Sequence, residues 1–206
     1  MKREFVYFSK NGVTSGNLIK DDLMKAGRLD IACQFILQAI FVSKHIRDDV
    51  KVHLIFNGPP DSPKHLEISP GWVLEGIEGK IDISKKDIAG LIKRMLYKYR
   101  PGKKVEVAPG YFVEKKSFVK VLEELSEEGK DIYVLDKRGT DIRDIDFSDG
   151  KGGVFVVGDQ EGLPKQEMKW VKHLDLKKIS VGPQMLFASQ VVTLIHNELD
   201  RAKAKN

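Results

Sequence analysis

Val154-Phe155-Val156-Val157-Gly158-Asp159-Gln160-Glu161-Gly162 is the stretch that decides the fold. Four consecutive apolar residues are expected of a strand covered on both faces, as in a parallel sheet. The run empties into a loop with glycines at 158 and 162, and a helical stretch follows from about Pro164 to His173. The arrangement recurs downstream. Lys178-Ile179-Ser180-Val181 reads as a strand, Gly182-Pro183 as its turn, and about Leu186 to Ala202 as a closing helix. Upstream, Ile132-Tyr133-Val134-Leu135 is a strand and Asp136 to Gly152 a polar loop. Strands alternating with helices imply an α/β fold, a mostly parallel sheet with helices on both faces.

The N-terminal half fits the same scheme. Glu4-Phe5-Val6-Tyr7-Phe8 is a short strand, followed by the loop Asn11-Gly12-Val13-Thr14-Ser15-Gly16. Asp30 to about Ile46 is too long and too broadly apolar for a strand and reads as a core helix. Val50 to Phe56 alternates as a strand and stops at Asn57-Gly58-Pro59-Pro60. Short strands are expected at His65 to Ile68 and at Trp72 to Ile77. Ser84-Lys85-Lys86-Asp87 has the form of a capping box, with Asp in place of Glu. The helix it opens carries Ile88, Leu91, Ile92, Met95, Leu96 and Tyr99 on one stripe and ends before Pro101-Gly102. A second amphipathic helix is expected from about Lys116 to Glu128.

A chain of 206 residues with 41% apolar and 32% charged residues can bury a core without staples, and residues 1–206 read as a single domain. One cysteine, Cys33, excludes an internal disulfide framework and fits a reducing, cytoplasmic setting. The apolar run from Ile31 to Val42 is too short to span a bilayer, and no signal peptide is read at the start. A net charge of +5 permits nucleic acid as a partner without requiring it.

The chain lacks a dinucleotide fingerprint, a P-loop, a zincin motif and a nucleophile elbow. His45, His53, His65, His173 and His196 show no ligand spacing and are expected at the surface or as caps, with no metal bound. Two strand-end loops, on strands expected to be neighbours, remain as the strongest candidates. Gly158 and Gly162 would admit a ligand to backbone. In Ser180-Val181-Gly182-Pro183-Gln184-Met185-Leu186, apolar side chains beside exposed backbone groups suit a flat, polar-edged ring such as adenine. Asp30 reads as a helix N-cap. Arg28 beside it is placed to bind a phosphate or a base edge. Asn57 is either a turn residue or an amide aimed into a cleft. The stretch Lys93 to Lys104 interleaves charge with Tyr97 and Tyr99. It is either an RNA-binding face or a solvated helix surface with Tyr99 in the core.

These residues, taken together, resemble a known family. Val156-Val157-Gly158-Asp159-x-x-Gly162, Ile179-Ser180-Val181-Gly182-Pro183, Ala188-Ser189-Gln190 and His196-Asn197-Glu198-Leu199-Asp200 are similar to the SPOUT methyltransferases. Among these they are most like the archaeal tRNA pseudouridine-54 N1-methyltransferases. Arg3-Glu4-Phe5, Thr14-Ser15, Gly27-Arg28-Leu29-Asp30 and Ile46-Arg47-Asp48-Asp49-Val50 extend the resemblance over most of the chain. It implies a C-terminal trefoil knot, a homodimer, and S-adenosylmethionine held by knot loops. By position, the cofactor would touch Leu135, Gly158, Ser180, Val181, Gly182, Pro183, Gln184, Met185, Leu186 and Val191. The implied reaction is methylation of N1 of pseudouridine at position 54 of tRNA. In that reaction Asp30 or Asp159 would accept a proton, Arg28 would hold a phosphate or developing charge, and Asn57 would bond a base edge. The segment before Arg28 is shorter than in the family and lacks its proline, and Val191 stands where the family has cysteine. Alternative readings are therefore a ribosomal-RNA pseudouridine N1-methyltransferase and a non-catalytic knotted RNA-binding protein. A small-substrate nucleotide enzyme is a third, and it would show no RNA affinity.

Overall fold

The computed structural model describes residues 2–43, 45–69 and 83–204. Its strands in chain order are Lys2–Ser9 (β1), Phe41–Val42 (β2), His45–Ile46 (β3), Val50–Phe56 (β4), Lys64–Ile68 (β5), Val105–Ala108 (β6), Tyr111–Glu114 (β7), Ile132–Asp141 (β8), Gly152–Gly158 (β9) and Lys177–Ser180 (β10). Its α-helices are Leu29–Ile40 (α1), Lys85–Lys98 (α2), Phe118–Glu127 (α3), Lys165–His173 (α4) and Ala188–Lys203 (α5).

Eight strands form one sheet in the order β10-β8-β9-β1-β4-β5-β7-β6. β10, β8, β9, β1 and β4 are mutually parallel, and β5, β7 and β6 continue antiparallel. Along β1, Phe5 and Tyr7 face α1, α2 and α5, whereas Val6 and Phe8 face α3 and α4. All four are fully buried, as befits a central parallel strand with a helix layer on each side.

The capping box at Ser84 forms as expected: Asp87 N–H bonds the Ser84 hydroxyl, and Ser84 N–H bonds the Asp87 carboxylate. The core helix is shorter than its apolar pattern suggests. It ends at Ile40, and Phe41–Val42 pairs antiparallel with His45–Ile46 instead. An aromatic and a β-branched residue there favour extended backbone. The hairpin of β6 and β7, which turns at Pro109-Gly110 with Gly110 at φ +78°, is an addition to the expected elements. The expected strand at Trp72 to Ile77 lies outside the described residues.

Two histidines, His45 and His173, are exposed as expected, but His53, His65 and His196 are buried. Each of the three has a protein group within hydrogen-bond distance of both ring nitrogens. His196 accepts from the guanidinium of buried Arg3 at its Nδ1 (2.9 Å) and donates from Nε2 to the Ala39 carbonyl (3.0 Å). Arg3 also bonds Asp200 (2.5 Å) and faces Asp49 (3.3 Å), and Arg47 grips Asp200 with two hydrogen bonds. This cluster ties α5 to β1 and to the turn before β4.

Among the described residues no helix is long and apolar enough to cross a membrane.

Candidate active site

The parallel strands β1, β4, β9, β8 and β10 end at the same edge of the sheet, where ligands of open α/β sheets bind. Phe56 and Gly158 flank the end of β1, so the loops after β1, β4 and β9 are neighbours. Asn57 N–H donates to the Ser9 carbonyl (2.9 Å) and Gly58 N–H to the Gly12 carbonyl (3.0 Å). These loops close so tightly that a Cβ on Gly58 would lie 2.4 Å from the Asn11 carbonyl oxygen. A Cβ on Gly27 would lie 1.8 Å from the same atom, and Gly27 also has φ +70°. Only glycine fits at either position.

Arg28 follows directly, itself in the left-handed region at φ 61°. It is the residue preceding α1, so Asp30 is not the N-cap but sits in the first helical turn. Arg28 and Asp30 form a two-pronged pair, Nε to Oδ1 at 3.0 Å and a terminal nitrogen to Oδ2 at 3.1 Å. Non-glycine residues rarely hold positive φ, and this strain sits beside a cleft. That cleft, about 520 Å³, is lined by Arg28, Asp30 and Gln34 on one side and by Phe187, Gln190 and Thr193 on the other.

Asp159 is placed differently. It is buried, and its two oxygens accept the N–H groups of Lys10 (3.0 Å) and Glu161 (2.9 Å). It fastens the loop after β9 to the loop after β1. Asn57 is exposed at the end of β4. One member of this neighbourhood escaped the sequence reading. Tyr7 is fully buried, its hydroxyl has no hydrogen-bond partner among the described residues, and it feels the charges of Asp159, Asp30 and Arg28. Burial pushes its phenol well above the ordinary range, so it is a donor. A tyrosine in a run of apolar strand residues gives no signal beyond core packing.

The cofactor-binding candidates lie at the other end of the same edge. β9 and β10 are not the neighbours expected, because β8 lies between them and pairs with both; β8 and β10 are parallel, but their ladder is not continuous. Lys178 pairs with Val134, while the next residue, Ile179, pairs with Thr140, so Leu135 to Gly139 arch out of the ladder. The expected polar loop after Leu135 is therefore partly strand: β8 resumes and runs to Asp141, followed by a 3-10 turn at Ile142–Asp144. The arch is pinned by Gly139, where a Cβ would meet the Ile179 backbone at 2.5 Å. Gly158 is held the same way against the Gly162 backbone, also 2.5 Å. After β10, the Ser180 hydroxyl bonds both the N–H and the carbonyl of Gly182, whose φ is +135°.

Beyond Gly182, the backbone of residues 183–186 makes no hydrogen bond among the described residues. Leu135, Val181 and Leu186 are half-buried against the core and Val191 is buried in the first turn of α5, whereas Pro183, Gln184 and Met185 are exposed. Free backbone donors and acceptors beside this apolar lining fit an adenine ring and its polar edge.

The basic stretch divides. Arg94, Lys98, Arg100 and Lys103 are exposed, but Lys93 donates to the Ile19 carbonyl and Lys104 pairs with Glu67. Tyr97 is exposed and bonds Asn17, and Tyr99 is half-buried against the core under the Lys64 ammonium.

An edge of glycine-pinned loops that offers free backbone to an adenine ring is a setting for a nucleotide-like cofactor. Residues 2–204 match the family described as "Putative SAM-dependent RNA methyltransferase", and the chain belongs to that family. It is 34% identical to the tRNA (pseudouridine(54)-N(1))-methyltransferase of Methanosarcina acetivorans, over 98% of this chain and 93% of that one. It is 32% identical to the "Putative pseudouridine methyltransferase" of Photobacterium profundum, over 96% and 98% of the two chains. Its fold is similar to that of Archaeoglobus fulgidus Nep1 bound to S-adenosylhomocysteine, with a TM-score of 0.63 at 13% identity, covering 99% of this chain and all of that one. As a member of the family the protein is an S-adenosylmethionine-dependent methyltransferase.

Proposed function

We propose that the protein methylates N1 of pseudouridine at position 54 of tRNA. The observation that carries this reading is the near full-length match to relatives named for that reaction, at 30–34% identity. S-adenosylmethionine, when bound, supplies an electrophilic methyl group. Leu135, Gly158, Val191 and the segment Ser180 to Leu186 would hold it, mostly through backbone.

The protein's own part is to seat the base and manage one proton. N1 of pseudouridine carries a hydrogen that must leave as the new bond forms. Asp30 lines the cleft, whereas Asp159 is buried and fastens two loops through their backbone N–H groups. Asp30 is therefore the better acceptor, with Asp159 a positioning residue. Arg28, two-pronged on Asp30, aims that carboxylate, and would hold a phosphate or the charge that develops on the base. Asn57 would bond a base edge.

The same reading extends to the assembly. The chain leaves β9, forms α4, reaches β10 beyond β8, and returns as α5 to pack against α1 and β1. We read this return as the closure of a trefoil knot in one domain of 206 residues. Met185 and Phe187, 84% and 67% exposed, support a homodimer interface beside the cofactor loops. RNA would follow the exposed cations Arg94, Lys98, Arg100 and Lys103. A cytoplasmic location accords with a tRNA substrate and a buried free thiol at Cys33.

Methyl-labelled S-adenosylmethionine tests this with paired tRNA transcripts carrying uridine or pseudouridine at position 54. Label on the pseudouridine transcript alone is the expected result. Label on neither, with cofactor still bound, overturns the substrate assignment, and transfer to a pseudouridine-bearing ribosomal RNA would replace it.

A further inference from the structure

On the α3 side of the sheet, away from the candidate active site, strands β1, β4, β5 and β7 carry a line of buried ionisable side chains. His53 and His65 stack with ring centroids 5.2 Å apart, and Nδ1 of His53 faces Nε2 of His65 at 2.9 Å. The outer nitrogen of His53 faces Glu4 at 3.2 Å, and that of His65 faces Glu114 at 3.1 Å. Lys130 pairs with Glu4 and Lys116 with Glu114, each at 2.7 Å, which keeps both carboxylates ionised and acceptor-only.

Three contacts need three positive centres between their electron pairs, and two imidazoles with one N–H each supply two. With the outer N–H groups turned to the carboxylates, two lone pairs meet at the centre. A third positive centre belongs between them, and a proton or a metal ion can supply it. The carboxylate of Glu67 completes the setting, since one of its oxygens and one nitrogen from each ring all lie within 4.8 Å of one another.

We propose that His53, His65 and Glu67 bind a divalent cation, with zinc the best match to two imidazoles and a carboxylate. The cation takes the central place between the rings. Glu4 and Glu114 hold the outer ring N–H groups, as carboxylates behind metal-bound histidines commonly do. A zinc–nitrogen bond is about 2.0–2.1 Å, so the facing nitrogens separate by a few tenths of an ångström on loading. Lys51 and Lys104, which hold Glu67 at 3.1 and 3.0 Å, are 35% and 43% exposed. They turn to solvent as Glu67 swings to the cation. The bound ion cross-links β4 to β5 in the antiparallel half of the sheet.

The test is zinc titration of chelator-treated full-length protein by calorimetry, with cobalt absorption as a report of ligand type. One equivalent bound, a four-coordinate cobalt spectrum with nitrogen ligands, and a raised Tm are expected. His65→Ala and Glu67→Gln should each weaken binding by ten-fold or more, and His173→Ala, at an exposed histidine, should leave it unchanged. Should the alanine variant fail to fold, the near-isosteric Glu67→Gln and the cobalt spectrum of the unaltered protein decide the matter. Absence of stoichiometric binding, a six-coordinate oxygen-type cobalt spectrum, or undiminished affinity in Glu67→Gln would each overturn the proposal.

Discussion

Arg3 and Asp200, 197 residues apart in the chain, meet at 2.5 Å. Arg3 is only 1% exposed, so its charge depends on this partner, on Asp49 and on the lone pair of His196. Asp200→Asn removes the charge that balances both Arg3 and Arg47. We expect a loss of about 2–3 kcal/mol of stability, because Arg3 stays buried with only part of its compensation. Urea denaturation measures it, and a loss below about 0.5 kcal/mol would show the cluster to be a surface pair in its energetics.

His196 links the same cluster to pH. Burial, with Arg47 and Arg3 nearby, lowers its pKa from 6.5 to about 3. The folded value lies below the unfolded one, so the unfolded chain binds the extra proton first. Stability is therefore full above about pH 6.5 and falls as pH drops towards 3, by up to ~1.4 kcal/mol per pH unit for this group. Asp200, lowered to about 2, adds loss of the same sign below its ordinary range. His196→Gln keeps an acceptor and a donor but cannot titrate, so its Tm should fall less steeply between pH 6.5 and 4.

Gly139 and Gly90 make a matched pair. An alanine at 139 forces its Cβ into the Ile179 backbone, whereas one at 90 in α2 meets nothing within 4 Å. Gly139→Ala should weaken S-adenosylmethionine binding at least ten-fold by prising β10 from β8. Gly90→Ala should stabilise the protein by about 1 kcal/mol through helix propensity. Fluorescence titration and thermal melts read the two effects separately.

Asp30→Asn keeps the shape of the cleft and removes the proton acceptor. The expected result is a fall in kcat of roughly 100-fold with cofactor affinity intact. Asp159→Asn should instead lower Tm, since its oxygens hold two backbone N–H groups. Equal kinetic effects from both would reassign the acceptor.

Salt dependence separates the lysines of α2. Lys98 is exposed, and Lys98→Ala should flatten the slope of log K for tRNA against log salt by about 1. Lys93 caps the Ile19 carbonyl, so Lys93→Ala should cost stability and leave the slope alone.

The α/β architecture was legible because periodicity records burial. Val154 to Val157 could be read as a doubly covered strand from four apolar letters, and Ser84 and Asp87 announced their helix by capping chemistry alone. What could not be read depends on contacts between distant residues. Phe41 and Val42 continue an apolar helix pattern until their pairing with His45–Ile46 is known. Gly139 looks like one more loop glycine until Ile179 is laid across it. His53 and His65, twelve residues apart, have no motif spacing, because antiparallel strands rather than a helix bring their rings together. Of the candidate site, the glycine loops and the Arg28–Asp30 pair were visible as local sequence. Tyr7 was not, since nothing local distinguishes an orphaned hydroxyl from a packed ring.

The position of β1 has a consequence for how the protein is made. It precedes its sheet partners along the chain, yet it lies in the interior of the sheet between β4 and β9. Its neighbour on one side starts at Gly152, and the helix that supplies Asp200 to Arg3 starts at Ala188. During synthesis, the β9 edge of Phe5 to Phe8 therefore stays unpaired until β9 has followed, well after β4 has formed on the other edge. Throughout that interval this segment is what a holding chaperone would grip.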